Sequence, residues 1–155
     1  MAPYVIARIR DFDAMDRVIA SVAGRSIGVF KVGGAFFAVR NQCPHAGGPL
    51  CLGDRGGIAR SSEPGTFDYS RRGEFLRCPW HSWEFDLRTG KSWFDPERVR
   101  VRAYETAVLD GDAVLACEAK VSDGAASEAE GREPGPYQVE TYPVSVHDDY
   151  VVVEI

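Results

Sequence analysis

Two short clusters of potential metal ligands stand out in the chain: Cys43-Pro44-His45-Ala46-Gly47-Gly48-Pro49-Leu50 and Cys78-Pro79-Trp80-His81-Ser82-Trp83-Glu84-Phe85-Asp86. Each cluster supplies one thiolate and one imidazole from a proline-containing segment that reads as a loop. Two sulfur donors and two nitrogen donors suit Zn²⁺ or an iron–sulfur cluster. A lone Cys or His is more often an ordinary core or surface residue, but two such clusters in one small chain make coincidence improbable.

The spacing of the ligands separates these two metal types. Structural zinc sites usually take both ligands of a pair from C-x-x-C or H-x-x-x-H spacing. Here each segment gives one Cys and one His, which suits a site where both cysteines hold one metal and both histidines hold a second. A two-iron cluster with His replacing Cys on one iron has this ligand set. A zinc-stabilised binding module without a redox role remains the alternative.

With these residues in view, the sequence resembles the Rieske 2Fe–2S family, in its low-potential ferredoxin type. The first matching motif runs from Asn41 to His45 and continues through Gly47, Pro49 and Leu50. The second runs from Cys78 to His81 and continues through Phe85, Asp86, Thr89 and Gly90. The resemblance implies an all-β, antiparallel domain that carries the two loops at one tip.

The same resemblance implies the ligands and the cofactor. One 2Fe–2S cluster per chain is expected, with Cys43 and Cys78 on one iron. His45 and His81 are expected on the second iron, near the surface. The implied role is that of a one-electron carrier, a ferredoxin-type component that serves an oxygenase or reductase system. The implied partners are redox proteins such as a flavin reductase and a terminal oxygenase, and the small subunit of a nitrite-reductase-like enzyme is an alternative.

A catalytic oxygenase subunit is excluded by counting the histidines. Such a subunit also needs a mononuclear iron held by two His and a carboxylate. His45 and His81 are assigned to the cluster, so His147 alone remains, and three is the full number of histidines. We therefore assign no catalytic residue. His147 precedes two aspartates and is predicted to be an exposed turn residue.

Length and composition place the chain among small globular proteins. The 155 residues, of 17.0 kDa, predict one domain over residues 1–155, and 16 Gly with 9 Pro favour many short strands. A net charge of −5 argues against nucleic acid and predicts a basic partner surface. No apolar run approaches the roughly 20 residues of a membrane helix, and the N-terminus has no signal-peptide core, so a cytoplasmic location is expected.

Hydrophobic patterning predicts strands on both sides of the clusters. Strands are expected at 18–23, 27–32 and 35–39, with a Gly33-Gly34 hairpin turn, and a helical turn at 11–17. Further strand texture lies at 74–76, 84–87 and 91–94. Residues 104–115 and 142–153 each read as strand, acidic turn and strand, and 137–155 resembles the closing hairpin of the family. Two polar segments, 55–72 and 120–136, are predicted to be surface insertions.

The remaining cysteines and the aromatic residues receive structural interpretations. Cys51 is predicted to be a thiol buried beneath the cluster, and Cys117 a small hydrophobic residue of a strand. The aromatic side chains around the second loop are expected in the core and around the cluster, with an exposed Trp80 as a possible docking patch. These residues are Trp80, Trp83, Phe85, Trp93 and Phe94.

The residues of the second loop also predict a low reduction potential. High-potential respiratory Rieske proteins join their two loops by a disulfide and direct a Ser and a Tyr hydroxyl at the cluster sulfurs. By this resemblance the two disulfide positions hold Gly48 and Trp80 here. The Ser and Tyr positions hold Trp83 and Phe85, which have no hydroxyl. Hydrogen bonds to cluster sulfur favour the reduced state, so their loss lowers the potential.

Overall fold

The computed structural model describes residues 3–93, 95, 97–117, 120–121 and 149–155. In chain order the elements are β1 Pro3–Arg8, β2 Arg17–Val22, β3 Arg25–Val32, β4 Ala35–Arg40, β5 Arg55–Arg60, β6 Asp68–Arg77, β7 Glu84–Asp86, β8 Ala103–Tyr104, β9 Thr106–Asp110, α1 Gly111–Ala116, β10 Lys120–Val121 and β11 Asp149–Glu154. Two short 3-10 helices span Ile9–Phe12 and Leu50–Leu52. No helix in the described part of the chain has the length and apolar character of a membrane-spanning segment.

Three sheets make up the described structure. Their strand orders are β10-β1-β11-β9, β2-β3-β4-β8 and β5-β6-β7. All pairings are antiparallel except that of β1 with β10. This arrangement confirms the predicted antiparallel all-β class.

The sheet topology brings the two cysteine-containing segments together. The first loop leaves β4 after Arg40 and crosses from the second sheet to β5 of the third. The second loop is the connection between β6 and β7, which pair from Arg77 with Glu84. One core cluster lies beneath both loops, and its buried members include Phe30, Leu50 and Leu76. The strand predictions around Gly33-Gly34 are confirmed by β2, β3 and β4.

The polar segment 55–72 is a strand pair. Residues 55–60 form β5, and the segment continues through a turn into β6. Gly57 allows the close pairing, since a Cβ there would lie 2.5 Å from the Ser70 carbonyl oxygen. The Gly57 amide donates to the Tyr69 hydroxyl at 2.7 Å, which replaces a regular ladder bond next to the register shift. The polar composition of the segment concealed strands whose residues are mostly half-buried.

Three local predictions differ from the structure. In place of part of a strand at 91–94, Lys91 and Ser92 form isolated bridges. The N-terminal helical turn lies at 9–12 rather than 11–17, because the Asp11 carboxylate accepts the Arg8 amide at 2.9 Å and closes the turn there. Residues 111–116 form α1 rather than a second strand, because the Asp110 side chain accepts the Ala113 amide at 2.7 Å as an N-cap. Cys117 therefore ends a helix and is exposed. Residues 122–148, with His147 and most of the second insertion, lie outside the described residues, as does Phe94.

A close contact beneath the first loop predicts the effect of a single methyl group. A Cβ at Gly28 would lie 2.5 Å from the Cys51 Sγ, whereas a Cβ at Gly34 meets nothing within 4 Å. We expect Gly28→Ala to lower the free energy of unfolding by about 1–3 kcal/mol through overpacking. Gly34→Ala is the matched control, since it removes the same unfolded-state freedom without a clash. Urea unfolding measures the free energy of unfolding of both variants. Equal values would contradict the close contact between Gly28 and Cys51.

Candidate metal centre

The first loop closes on its own cysteine through two backbone hydrogen bonds. The Cys43 amide donates to the Gly48 carbonyl at 2.8 Å, and the Gly47 amide donates back to the Cys43 carbonyl at 2.8 Å. Gly47 has φ +80°, in the left-handed region where glycine carries no Cβ penalty. This tight closure leaves the Cys43 side chain inside the fold, at 2% exposure, and His45 outside it.

The second loop repeats this pattern at the same spacing. The Cys78 amide donates to the Trp83 carbonyl at 2.8 Å, and the Ser82 amide donates to the Cys78 carbonyl at 2.9 Å. Ser82 has φ +60° and occupies the place that Gly47 has in the first loop. Cys78 is buried at 1% exposure, and His81 is exposed. Each loop therefore buries a thiol and presents an imidazole.

The two buried thiols meet between the loops. Cys43 and Cys78 are free thiols, and their sulfur atoms interact with each other directly. Burial raises the pKa of the Cys43 thiol, and the neighbouring Cys78 raises it further. The backbone amides of His45 and Ala46 act in the opposite direction, because they donate to the Cys43 sulfur and favour its thiolate. The site thus has two adjacent sulfur donors, and one of them already accepts hydrogen bonds.

The two imidazoles also meet, on the solvent side. The ring centroids of His45 and His81 lie 4.8 Å apart with the planes nearly perpendicular, at 83°. The Trp83 ring stacks on His45 at 4.2 Å, with the planes only 12° apart. Trp83 is half-buried, so it supports the His45 ring from the protein side. The four predicted ligands are therefore all brought together, as an inner sulfur pair and an outer nitrogen pair.

This donor set fits a two-iron cluster of the Rieske type. The soft sulfurs lie in a region shielded from water, and the imidazoles lie where a second iron would be close to the surface. Among the residues that the structure describes, no group of three or more His, Cys, Asp or Glu side chains is arranged to hold one metal ion. The observed division into two pairs matches the ligand requirement of the cluster.

Gly48 and Trp80 form the contact across the mouth of the two loops. A Cβ at Gly48 would lie 2.8 Å from Trp80 Cδ2 and 3.2 Å from the Cys78 Sγ. Trp80 is still 56% exposed, which bears out the interpretation of an exposed tryptophan at this tip. The two positions that correspond to a disulfide in the respiratory type do face each other here, with an indole packed over a glycine.

Two side chains to which the sequence assigned no structural role hold the base of the first loop. The Asn41 side-chain oxygen accepts the Cys51 amide at 2.8 Å, and the Arg17 guanidinium donates to the Cys51 carbonyl at 2.8 Å. Cys51 is fully buried, as predicted, and burial raises the pKa of its thiol to about 12. Asn41 was recognisable as part of the first motif. Arg17 carries no sequence signal, because its role depends on a contact 34 residues away.

Ion pairs hold the second loop and its following turn. Arg77 and Glu84, which face each other at the mouth of the β6–β7 hairpin, pair at 2.7 Å. The nearly buried Glu74 accepts Arg88 at 2.8 Å and also pairs with Arg71. Surface pairs of this kind contribute little one by one, but the shared carboxylate links β6 to the turn that follows β7.

The left-handed backbone of the two loops leads to a reciprocal substitution test. Ser82→Gly relieves a side-chain penalty of about 1 kcal/mol at positive φ, so we expect a higher urea midpoint. Gly47→Ser introduces the same penalty, with room for the side chain because the nearest atom to a Cβ is 3.9 Å away, so we expect a lower midpoint. The double variant should return close to the parent, since the two effects are of opposite sign.

Equal cluster content must be verified by visible absorption before the midpoints are compared, because a bound group adds its own stability. A lower midpoint for Ser82→Gly would contradict the assignment of strain to this residue.

Comparison with known proteins gives a consistent match. The family model described as Rieske [2Fe-2S] domain matches residues 2–105. The chain is 31% identical over 104 residues to the ferredoxin CarAc of Metapseudomonas resinovorans, which covers 67% of this chain and 82% of that protein. It is 34% identical over 97 residues to the anthranilate 1,2-dioxygenase ferredoxin subunit of Burkholderia cepacia, covering 62% and 75% of the two chains.

A solved structure shares the fold. The ferredoxin of carbazole 1,9a-dioxygenase from Nocardioides aromaticivorans IC177 superimposes with a TM-score of 0.50 at 24% identity. The match covers 69% of this chain and 89% of the ferredoxin. Both cysteine- and histidine-containing loops of this chain lie within the segment that the family model matches.

Proposed function

The chain belongs to the Rieske [2Fe-2S] domain family, and from this premise we propose that Cys43, His45, Cys78 and His81 are the four ligands of its cluster. The observation that carries the proposal is the pairing of a buried thiol from each loop beside an exposed imidazole from each loop. Each iron then receives two protein ligands of one kind. Cys51 and Cys117 are left out of the ligand set, since one is packed under the first loop and the other ends α1.

The protein is a one-electron carrier with a Rieske cluster. When bound, the cluster supplies reversible one-electron oxidation and reduction. The residues of the chain control that chemistry by their placement. The amides of His45 and Ala46 direct partial positive charge at the Cys43 sulfur, and the surrounding core excludes water from both thiols. The two exposed imidazoles place the outer side of the site within reach of a docked partner.

Its partners are redox proteins, and the relatives suggest which kinds of redox protein they are. One relative named above is a ferredoxin, a second is the ferredoxin subunit of an anthranilate 1,2-dioxygenase, and the superimposed structure is the ferredoxin of a carbazole 1,9a-dioxygenase. We infer that this chain carries electrons from a flavin reductase to a terminal oxygenase, in the cytoplasm, as one domain over residues 1–155. Segments 55–72 and 120–136 are then additions outside the ligand loops. A zinc module and a nitrite-reductase subunit are not favoured, because the relatives named above belong to neither class.

The ligand assignment predicts the composition and the spectrum of the purified protein. We expect about two iron and two sulfide per chain and a reduced-state EPR signal typical of mixed His and Cys ligation. His45→Ala and His81→Ala should each abolish that signal. A signal that survives both replacements, or zinc in place of iron, would overturn the ligand set.

Matched controls are available for both kinds of ligand. His147→Ala removes the third histidine, and Cys117→Ser removes an exposed thiol that ends α1. Both variants should retain the full iron content and an unchanged EPR signal. Loss of the cluster in either control would show that the pairing of the two loops does not account for the binding.

Trp83 and Phe85, at the positions where the respiratory type has its two hydroxyl side chains, predict a low midpoint potential. Phe85 is buried at 1% exposure in the core beneath the loops, at the position where the respiratory type has its Tyr. We expect the parent in the lower part of the Rieske span, roughly −150 to 0 mV, and a higher midpoint for Phe85→Tyr. Phe75→Tyr is the control, because Phe75 stacks on Trp93 at 5.2 Å instead. Protein-film voltammetry gives both values, and a parent above about +150 mV would contradict the argument.

A further inference from the structure

The net negative charge of the chain is unevenly distributed along its length. Residues 118–148 contain seven acidic residues and two basic ones, which is a balance of −5. The other parts of the chain contain sixteen of each sign and are therefore neutral by count. The whole excess of negative charge thus lies in a segment that carries none of the proposed ligands. Among the described residues, the charge near the proposed ligands is that of the side chains around the two loops.

A basic groove flanks the first loop. It has a volume of about 410 Å³, and its walls include Cys43, Pro44 and Gly47 of the loop. Three arginines also line this groove: Arg40, Arg100 and Arg102. All three are exposed. Because Cys43 itself forms part of the wall, an occupant of this groove would lie directly beside a proposed cluster ligand.

Backbone pairing holds the three arginines on one face. Arg40 ends β4, and its amide donates to the Arg102 carbonyl at 2.9 Å. Arg100 is fixed by an antiparallel bridge to Lys91. The three side chains therefore come from two adjacent segments of backbone rather than from a loose loop. Their convergence beside the first loop is a consequence of the fold.

Within the described part of the chain, these arginines form no ion pair with a carboxylate. The nearby acidic residues have other partners: Glu97 pairs with Lys91 at 3.0 Å, and Asp95 with Arg98 at 3.9 Å. Arg100 does contribute to lowering the pKa of Glu97, after the larger contribution of Lys91.

The described residues beside the second loop offer no comparable unpaired charge. Its Glu84 is paired with Arg77, and the groove on that side is formed by Ser82, Trp83, Glu84, Ser92 and Trp93, with a volume of about 440 Å³. That side is therefore mostly apolar, whereas the first-loop side is positively charged. Among the described residues, a partner that covers both imidazoles meets the three arginines on the first-loop flank and the paired Arg77 and Glu84 on the other.

We propose that the groove formed by Arg40, Arg100 and Arg102 docks a carboxylate-rich surface of the redox partner. The inference rests on the electron-carrier function proposed above and assigns the partner the opposite charge from that expected from the net charge. Guanidinium groups pair with carboxylates in bidentate geometry and attract an acidic surface over a distance of about a Debye length. Such charges act chiefly on the rate of association and on the orientation of the complex.

The test uses two acceptor proteins of opposite charge, an acidic plastocyanin and a basic cytochrome c. In each reaction one electron leaves the reduced cluster and converts Cu(II) to Cu(I) or haem Fe(III) to Fe(II). Stopped-flow rates are measured for the parent, for the triple variant Arg40→Glu, Arg100→Glu and Arg102→Glu, and for the corresponding triple Gln variant. Arg60→Glu is the matched control, since Arg60 is exposed at the far end of the β5–β6 hairpin from Cys78.

We expect the parent to reduce plastocyanin more slowly as salt rises. The triple Glu variant should lower the low-salt rate with plastocyanin by about tenfold or more and raise that with cytochrome c. The rates of the triple Gln variant should lie between those of the parent and those of the triple Glu variant. The rates of Arg60→Glu should equal those of the parent. Each variant is compared with the parent for the same acceptor, so the different potentials of the two acceptors do not affect the comparison. Voltammetry must show that the midpoint potential of each variant equals that of the parent.

The outcomes separate this inference from the function on which it rests. Absence of a reducible iron–sulfur signal in the parent would overturn the proposed function. A normal signal with plastocyanin rates that are unaffected by the triple Glu variant would overturn the docking inference alone. A faster reaction of the triple Glu variant with plastocyanin would show that the partner surface is not acidic.

Discussion

Two backbone hydrogen bonds on each cysteine are the constraint on which the rest of the site depends. The Cys43 and Cys78 amides donate to carbonyls five residues later, and the amides four residues later donate back to the cysteine carbonyls. This closure needs a left-handed residue at its fourth step, which Gly47 and Ser82 supply. Because both loops are closed alike, each turns its thiol inwards and its imidazole outwards, and ligands 35 positions apart become neighbours.

The buried thiol pair also explains how the cofactor and the fold support each other. The Cys43 thiol lies in a core that excludes water, and burial raises its pKa because it disfavours the thiolate. The amides of His45 and Ala46 offset part of that cost at Cys43, and iron offsets more when it binds. Residues beneath the loops, including Leu50 and Leu76, pack the site from below. Cluster binding and tight packing therefore stabilise the same loop conformation.

Sequence patterns predicted the loops, the inner strands and the buried Cys51, because each depends on local spacing or hydrophobic runs. They failed where a local contact or polar composition decided the structure. The Asp110 cap turned a predicted strand into α1, and Gly57 allowed a polar segment to pair as a strand. Arg17 could not be found from sequence, since its value lies in bonds to carbonyls more than 30 residues away. The left-handed Ser82 was hidden as well, because Ser rarely signals positive φ.

The two sides of the tip that carries the ligand loops contribute differently to partner recognition. Charges in solution are screened over about 8–10 Å, so a partner responds to groups near the loops more than to the summed charge of the chain. Arg40 and its neighbours supply directional, long-range attraction on one flank. On the other flank the exposed Trp93, at 58%, supplies apolar area that contributes only after contact. Apolar contact alone is compatible with several orientations, whereas the three arginines on the first-loop flank select the orientation that places the partner over His45 and His81.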